Sequence, residues 1–184
     1  MKRLFTNFTP LIAMLVLVLA GCSSSEPATR PDLSTMSIAE IAGNTDSFSL
    51  LAQAVQTADL ASMLDGTGPY TVFAPTDEAF SRLPDGVLED LMQPENQDQL
   101  VELLQFHIVE GKLTADDLAA RGQVGAPEQF RTVSGIALPV TAGIEGVVVD
   151  DAAVVEPDIM ASNGVIHGIG KVLLPPSMDD LMGR

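Results

Sequence analysis

The hydrophobic spacing of this chain changes period part-way along, and that change restricts the fold more than any other feature. Up to Gly122 apolar residues recur at helical intervals. Ser37-Ile-Ala-Glu40 has the spacing of a capping box, and Phe48, Leu51, Ala52 and Val55 then share one helix face. A short helix over residues 60–64 is broken by residues 66–69. Residues 70–73 read as a strand stopped by Pro75, after which Thr76 and Asp77 cap a helix that turns Phe80 and Leu83 inward. Asp85 is placed to cap the next helix, and Pro94 opens another whose apolar face carries Leu100, Leu103, Leu104 and then His107. Residues 114–117 start a last helix that ends at Gly122. From Gln129 the pattern becomes short β-prone runs over 130–133, 136–140, 147–150, 154–156 and 165–174, divided by turn residues. Asn163-Gly164 is expected to supply a positive φ in a tight turn. In the final strand Val165, His167 and Ile169 would face one side, and Ile166 and Gly168 the other. Helices first and strands later predict an α+β fold with a largely antiparallel sheet.

The first part of the chain reads differently. Lys2 and Arg3 precede an apolar run over residues 11–20, which is too short for a membrane-spanning helix of about 20 residues and fits the core of a secretory signal. It ends in Leu19-Ala20-Gly21-Cys22, which resembles the lipobox of bacterial lipoproteins. In that motif the cysteine becomes the first mature residue and carries lipid, and several acyl chains hold a protein firmly on a bilayer. Cys22 is the single cysteine, so neither an internal disulfide nor a cysteine-based zinc site can be assembled. Ser23 after it suggests, by the sorting rules of such lipoproteins, the outer membrane, facing the periplasm or the cell surface. The expected organisation is a lipoprotein signal over 1–21, a polar, proline-containing tether over 22–33 and one folded unit over 34–184.

Charge narrows the partners. With Lys2 and Arg3 set aside, seven basic residues remain against 25 acidic ones. Such a surface repels nucleic acid and anionic lipid head groups, and favours cations or basic partners. Tryptophan is absent, which leaves little aromatic surface for stacking bases or sugar rings.

Three ordered segments resemble a known family. Thr71-Val-Phe-Ala-Pro-Thr-Asp-Glu-Ala-Phe80 is similar to the first conserved block of fasciclin (FAS1) domains, and Asn163-Gly-Val-Ile-His-Gly-Ile-Gly-Lys-Val-Leu-Leu-Pro175 to the second. Between them Leu103-Leu-Gln-Phe-His-Ile-Val-Glu-Gly111 is similar to the family's central Tyr-His segment, with Phe106 in place of the tyrosine. The resemblance implies a wedge-shaped β-sandwich with helices packed on it, an adhesion or surface-interaction role and no catalysis; joined to the expected lipid on Cys22, it suggests a membrane-held module that binds a protein or polysaccharide partner. It also makes Thr76, Asp77, Asn163, Gly164 and His167 structural motif residues, and carries a partner-binding role to Phe106 and His107.

Glu156-Pro-Asp-Ile-Met160 resembles the integrin-binding motif of animal fasciclin-domain matrix proteins. That reading puts Asp158 and Ile159 at a partner surface. The residues alone equally allow a β-bulge in which Asp158 bonds nearby backbone N–H groups. His107 likewise reads either as a contact residue or as a buried, hydrogen-bonded histidine at a helix–strand junction. Enzyme signatures such as Gly-x-Ser-x-Gly or His-Glu-x-x-His are missing from the sequence, and no cofactor motif is present. The pairs Asp116-Asp117, Asp150-Asp151 and Asp179-Asp180 lack calcium-loop spacing, so no metal is expected. Two weaker alternatives stand: a small-ligand pocket lined by residues such as Phe80, Phe106 and Met160, and a hydrolase built on an exposed His167 with a serine in reach.

Overall fold

A computed structural model of the protein describes residues 33–84, 86–122, 126–143 and 146–178. The leader, Cys22, the tether up to residue 32, Asp85 and the pair Asp179-Asp180 lie outside the described residues.

The helical first half forms α1 (Ile38–Asn44), α2 (Ser49–Thr57) and α3 (Ala61–Leu64), followed by β1 (Tyr70–Pro75). After β1 come α4 (Asp77–Phe80), α5 (Val87–Leu91), α6 (Gln97–Phe106), β2 (Ile108–Glu110) and α7 (Ala115–Arg121). Five strands complete the described chain: β3 (Glu128–Arg131), β4 (Ala137–Gly143), β5 (Gly146–Val149), β6 (Ala152–Ala161) and β7 (Gly164–Ile169). Local chemistry sets several boundaries. Ser37 and Glu40 close a full capping box on α1, and Thr114 and Asp117 close another on α7. The Thr76 hydroxyl accepts the Ala79 N–H at the start of α4. Where Asp85 is expected to cap α5, the N-cap is Gly86, with φ +89°.

The strands follow the order β2-β1-β7-β6-β5-β4-β3, and every neighbouring pair is antiparallel except β1–β7. A bridge between Val109 and Thr132 brings the two ends of this order together, so the sheet folds over into a sandwich. β6 belongs to both layers. Ala152 and Ala153 pair with β5, whereas Val154 onward pairs with β7 through two register shifts. Sequence periodicity places strand only at 154–156 here, since Pro157 interrupts the β-prone run. The chain instead bends and continues, since a strand bonded on one side tolerates a proline. The final predicted run is also shorter than its apolar sequence, and the strand ends at Ile169.

The layers enclose two cores. Val72 and Ala74 of β1 and Ile166 of β7 pack against helical residues including Ile38, Phe48, Leu51, Leu100 and Leu104. Phe73 and Ile169, on the other face of the same strands, pack between the sheets with Phe130, Leu138, Val140 and Val149. Because β7 is covered on both faces, all six of its residues are buried. The α+β sandwich with helices packed on it, implied by the resemblance, is the architecture observed.

Asn163-Gly164 works by a different route from the expected one. Neither residue adopts a positive φ. Asn163 is a clamp: its Oδ1 accepts the Ile38 N–H at 3.1 Å, while its Nδ2 donates to the carbonyls of Leu64 and Gly66. Its own carbonyl accepts the Tyr70 N–H, so one residue, by side chain and backbone together, ties α1, the end of α3 and the start of β1 to the β6–β7 turn. Gly164 is required by close approach, since a Cβ there would lie 2.0 Å from the Tyr70 carbonyl oxygen.

Candidate functional site

The side chains singled out in the sequence do not gather at one surface. Phe106 is 3% exposed and belongs to the core between the sheets, and His107, the C-cap of α6, is 1% exposed. His107 Nδ1–H donates to the Leu103 carbonyl at 2.7 Å, and its Nε2 accepts the Leu173 N–H at 3.0 Å. These two bonds fix one neutral tautomer. Burial pushes the pKa of His107 down to about 4, with the Leu103 bond opposing the shift. The contact role carried to Phe106 and His107 is therefore corrected. They fasten α6 to the segment after β7, and neither offers surface to a partner.

His167 plays a parallel role. It is fully buried on β7 and stacked on Phe73, with ring centroids 5.7 Å apart. Its Nε2–H donates to the Leu113 carbonyl at 2.8 Å, and its Nδ1 accepts the Asp158 N–H at 3.2 Å. Burial lowers its pKa; the Leu113 bond and the Asp158 carboxylate work the other way. A buried histidine with both ring nitrogens bonded to backbone is no general base, which removes the arrangement the hydrolase alternative needs.

Asp158 sits at the second register shift of β6 with φ +58°, a left-handed conformation uncommon outside glycine. Its Oδ1 accepts the N–H of Ala115, the first residue of α7, at 2.8 Å. Asp158 thus bonds backbone at a bulge, as one of the two sequence readings has it. Ile159 is half-buried and packs against the helix-side core. The small-ligand alternative fares no better. Phe80 and Phe106 belong to different cores, and the apolar space between the first helices and the sheet is about 20 Å³, room for no more than a water.

What the fold does open to solvent is a cleft of about 620 Å³ beside β6, where α4 begins and β7 has just ended. Its walls carry Glu78, Arg82, Asp151, Val155, Glu156 and Lys171. Arg82 reaches Glu78 at 2.8 Å and donates to the Gly170 carbonyl at 3.0 Å; Lys171 pairs with Asp151. Val155 is 54% exposed, a large aliphatic side chain left facing water between these charges. Glu156 is exposed beside it and, among the described residues, meets no cation. No single motif spans this cleft, because α4, β6 and the end of β7 are far apart along the chain. Glu78, Glu156 and Lys171 each lie in a different one of the segments singled out in the sequence, and nothing there shows that the fold brings them together.

With this geometry in place, comparison with known proteins is informative. The family model described as the Fasciclin domain matches residues 46–175. Protein sll1483 of Synechocystis sp. is 46% identical over 143 residues, covering 78% of this chain and 76% of that protein. The Transforming growth factor-beta-induced protein ig-h3 of Sus scrofa is 39% identical over 130 residues, which are 71% of this chain and 18% of that much longer protein. Among solved structures, a FAS1 domain pair from the insect cell adhesion molecule Fasciclin I superposes with a TM-score of 0.60 at 18% identity, over 77% of this chain and 52% of that one. The last likeness concerns the fold alone.

Proposed function

The chain belongs to the fasciclin domain family, and from that premise we propose that it is a lipid-tethered interaction module of the cell envelope that grips a protein partner in the cleft beside β6. The observation that carries this reading is Val155, left exposed amid the charges of that cleft while Phe106, His107 and His167 are turned inward. An apolar side chain ringed by ion pairs is a small hot spot with a polar rim. The Arg82–Glu78 and Lys171–Asp151 pairs are solvent-exposed and cost little to rearrange. The free Glu156 carboxylate beside Val155 favours a partner segment that lays the methylenes of a lysine or arginine on Val155 and its charge on Glu156. The acidic surface would steer such a segment inward. Among the described residues no aromatic side chain lines the cleft as a platform for a sugar ring, which favours protein over polysaccharide.

The test is capture of envelope proteins and of surface glycans by the lipid-free domain, compared with Val155→Asp and Glu156→Lys. Both positions are exposed, so folding should change by less than about 0.5 kcal/mol. Binding of the captured protein is expected to fall at least about tenfold in each variant. Undiminished capture by both would place the contact elsewhere, and capture of glycan alone would replace the protein partner.

The membrane part of the reading rests on Cys22 and is separable. Several acyl chains on that sulfur would hold the domain at the bilayer and raise its effective concentration for neighbours. Cys22→Ala should move the protein from the membrane fraction to the soluble fraction on ultracentrifugation. A variant that still sediments with membranes would count against the lipid tether.

A further inference from the structure

Four residues, His167, Leu113, Ala115 and Asp158, form a closed hydrogen-bonded ring at the β6 bulge. His167 on β7 holds the Leu113 carbonyl with one ring nitrogen and the Asp158 N–H with the other. The Asp158 carboxylate caps α7 at Ala115, two residues after Leu113. The ring therefore ties β7, the β2–α7 connection and the β6 bulge together, and it closes only while His167 Nδ1 keeps its lone pair. The charged group facing the imidazole is the Asp158 carboxylate on β6. β1 presents the Phe73 ring. Lys112, Asp116 and Asp117 on the α7 side are exposed, and Asp117 is turned back onto Thr114.

We propose that this ring is an acid-operated latch, in which protonation of His167 draws the Asp158 carboxylate off α7 and frees the β6 bulge while the rest of the sandwich stays folded. A proton from solvent goes to Nδ1. The Asp158 N–H then meets another N–H and its bond is lost. The new Nδ1–H has one anionic acceptor at hand, the Asp158 carboxylate, and taking it up removes the acceptor from the Ala115 N–H. Two features make the rearrangement local. The ladder between β6 and β7 is already interrupted at Asp158, so no regular strand bond breaks there. The residue also leaves a left-handed conformation that a non-glycine side chain holds at a cost. His107 is as deeply buried but, among the described residues, has no carboxylate beside it to favour the charged ring, so His167 takes its proton first. Glu156 borders the cleft from the same bulge, so its opening would reshape that wall; the latch itself does not depend on the cleft having a partner.

Amide hydrogen exchange on the whole protein, corrected for the intrinsic pH dependence of exchange, tests the latch. Between neutral pH and pH 4.5, peptides covering 113–118 and 156–160 should lose protection at least about tenfold more than β1 and β7 peptides, which lose only what the acid destabilisation of the whole fold through His107 takes from them. Asp158→Asn keeps an acceptor for Ala115 and tolerates the positive φ, but removes the anion, so its transition should move to lower pH. An NMR titration of the unmodified protein is the second measurement, with the Ala115 amide following the His167 ring at one midpoint. Loss of protection in a single step shared with β1, an unmoved midpoint in Asp158→Asn, or separate Ala115 and His167 midpoints would each overturn the proposal.

Discussion

Gly164→Ala should cost about 4 kcal/mol or more, a large share of a typical total of 5–15 kcal/mol. The added methyl would lie 2.0 Å from the Tyr70 carbonyl oxygen, 2.9 Å from its carbon and 3.0 Å from Ile38 Cδ1. The first two are backbone atoms in the register pair Tyr70↔Gly164, so relief requires breaking the start of the β1–β7 ladder. The Asn163 clamp next to it forbids a slide of the turn. The control is Gly43→Ala in α1, where nothing lies within 4 Å and alanine should stabilise by about 0.5–1 kcal/mol. Urea denaturation of the two variants measures the contrast, and a Gly164→Ala protein as stable as its parent would mean that β1 and β7 do not approach as described.

Acid should weaken the fold through His107 by about 3 kcal/mol. Its folded pKa is about 4 and its ordinary value is 6.5, so between these the unfolded chain binds the proton and the native state does not. Stability is full above pH 6.5, falls as pH drops through that window, and stops falling from this cause below about 4. His167 acts in the same direction. The acidic surface acts the other way, since protonating carboxylates relieves mutual repulsion. His107→Gln, which can still donate to Leu103 and accept from Leu173, isolates the effect. Its denaturation midpoint should vary less with pH than the parent's between pH 7 and 4.5. Identical pH profiles for the two proteins would show that His107 is not the buried neutral group described.

The contrast between fold and site explains what could be read from the sequence. Capping boxes, helical stripes and β-prone runs are local, and they locate α1, α4, α7 and most strands, while the three ordered blocks identify the architecture. The reach of β6 is hidden because its pairing partner, β7, excuses a proline and two bulges that local rules treat as a stop. Gly164 was legible as necessary, but its reason lies in the carbonyl of Tyr70, more than ninety residues earlier. Motif residues such as His107 and Phe106 stand out in the sequence because the core depends on them. Val155, Arg82 and Lys171 share a cleft only after α4, β6 and the end of β7 have come together, and although Lys171 lies in the second block, nothing local marks the three as neighbours.

The place of β7 between β1 and β6 bears on how the protein is made. Among the described strands it emerges last from the ribosome, yet it supplies the centre of the helix-covered sheet. Until it arrives, β1 has no parallel neighbour and the helices have half a surface to cover, so a nascent chain stopped before residue 164 cannot complete either core. Folding must wait until β7 has been made and then close contacts between segments far apart in the sequence, which makes it slow. The topology that stabilises the finished sandwich thus withholds its central strand from the growing chain until last among the described strands.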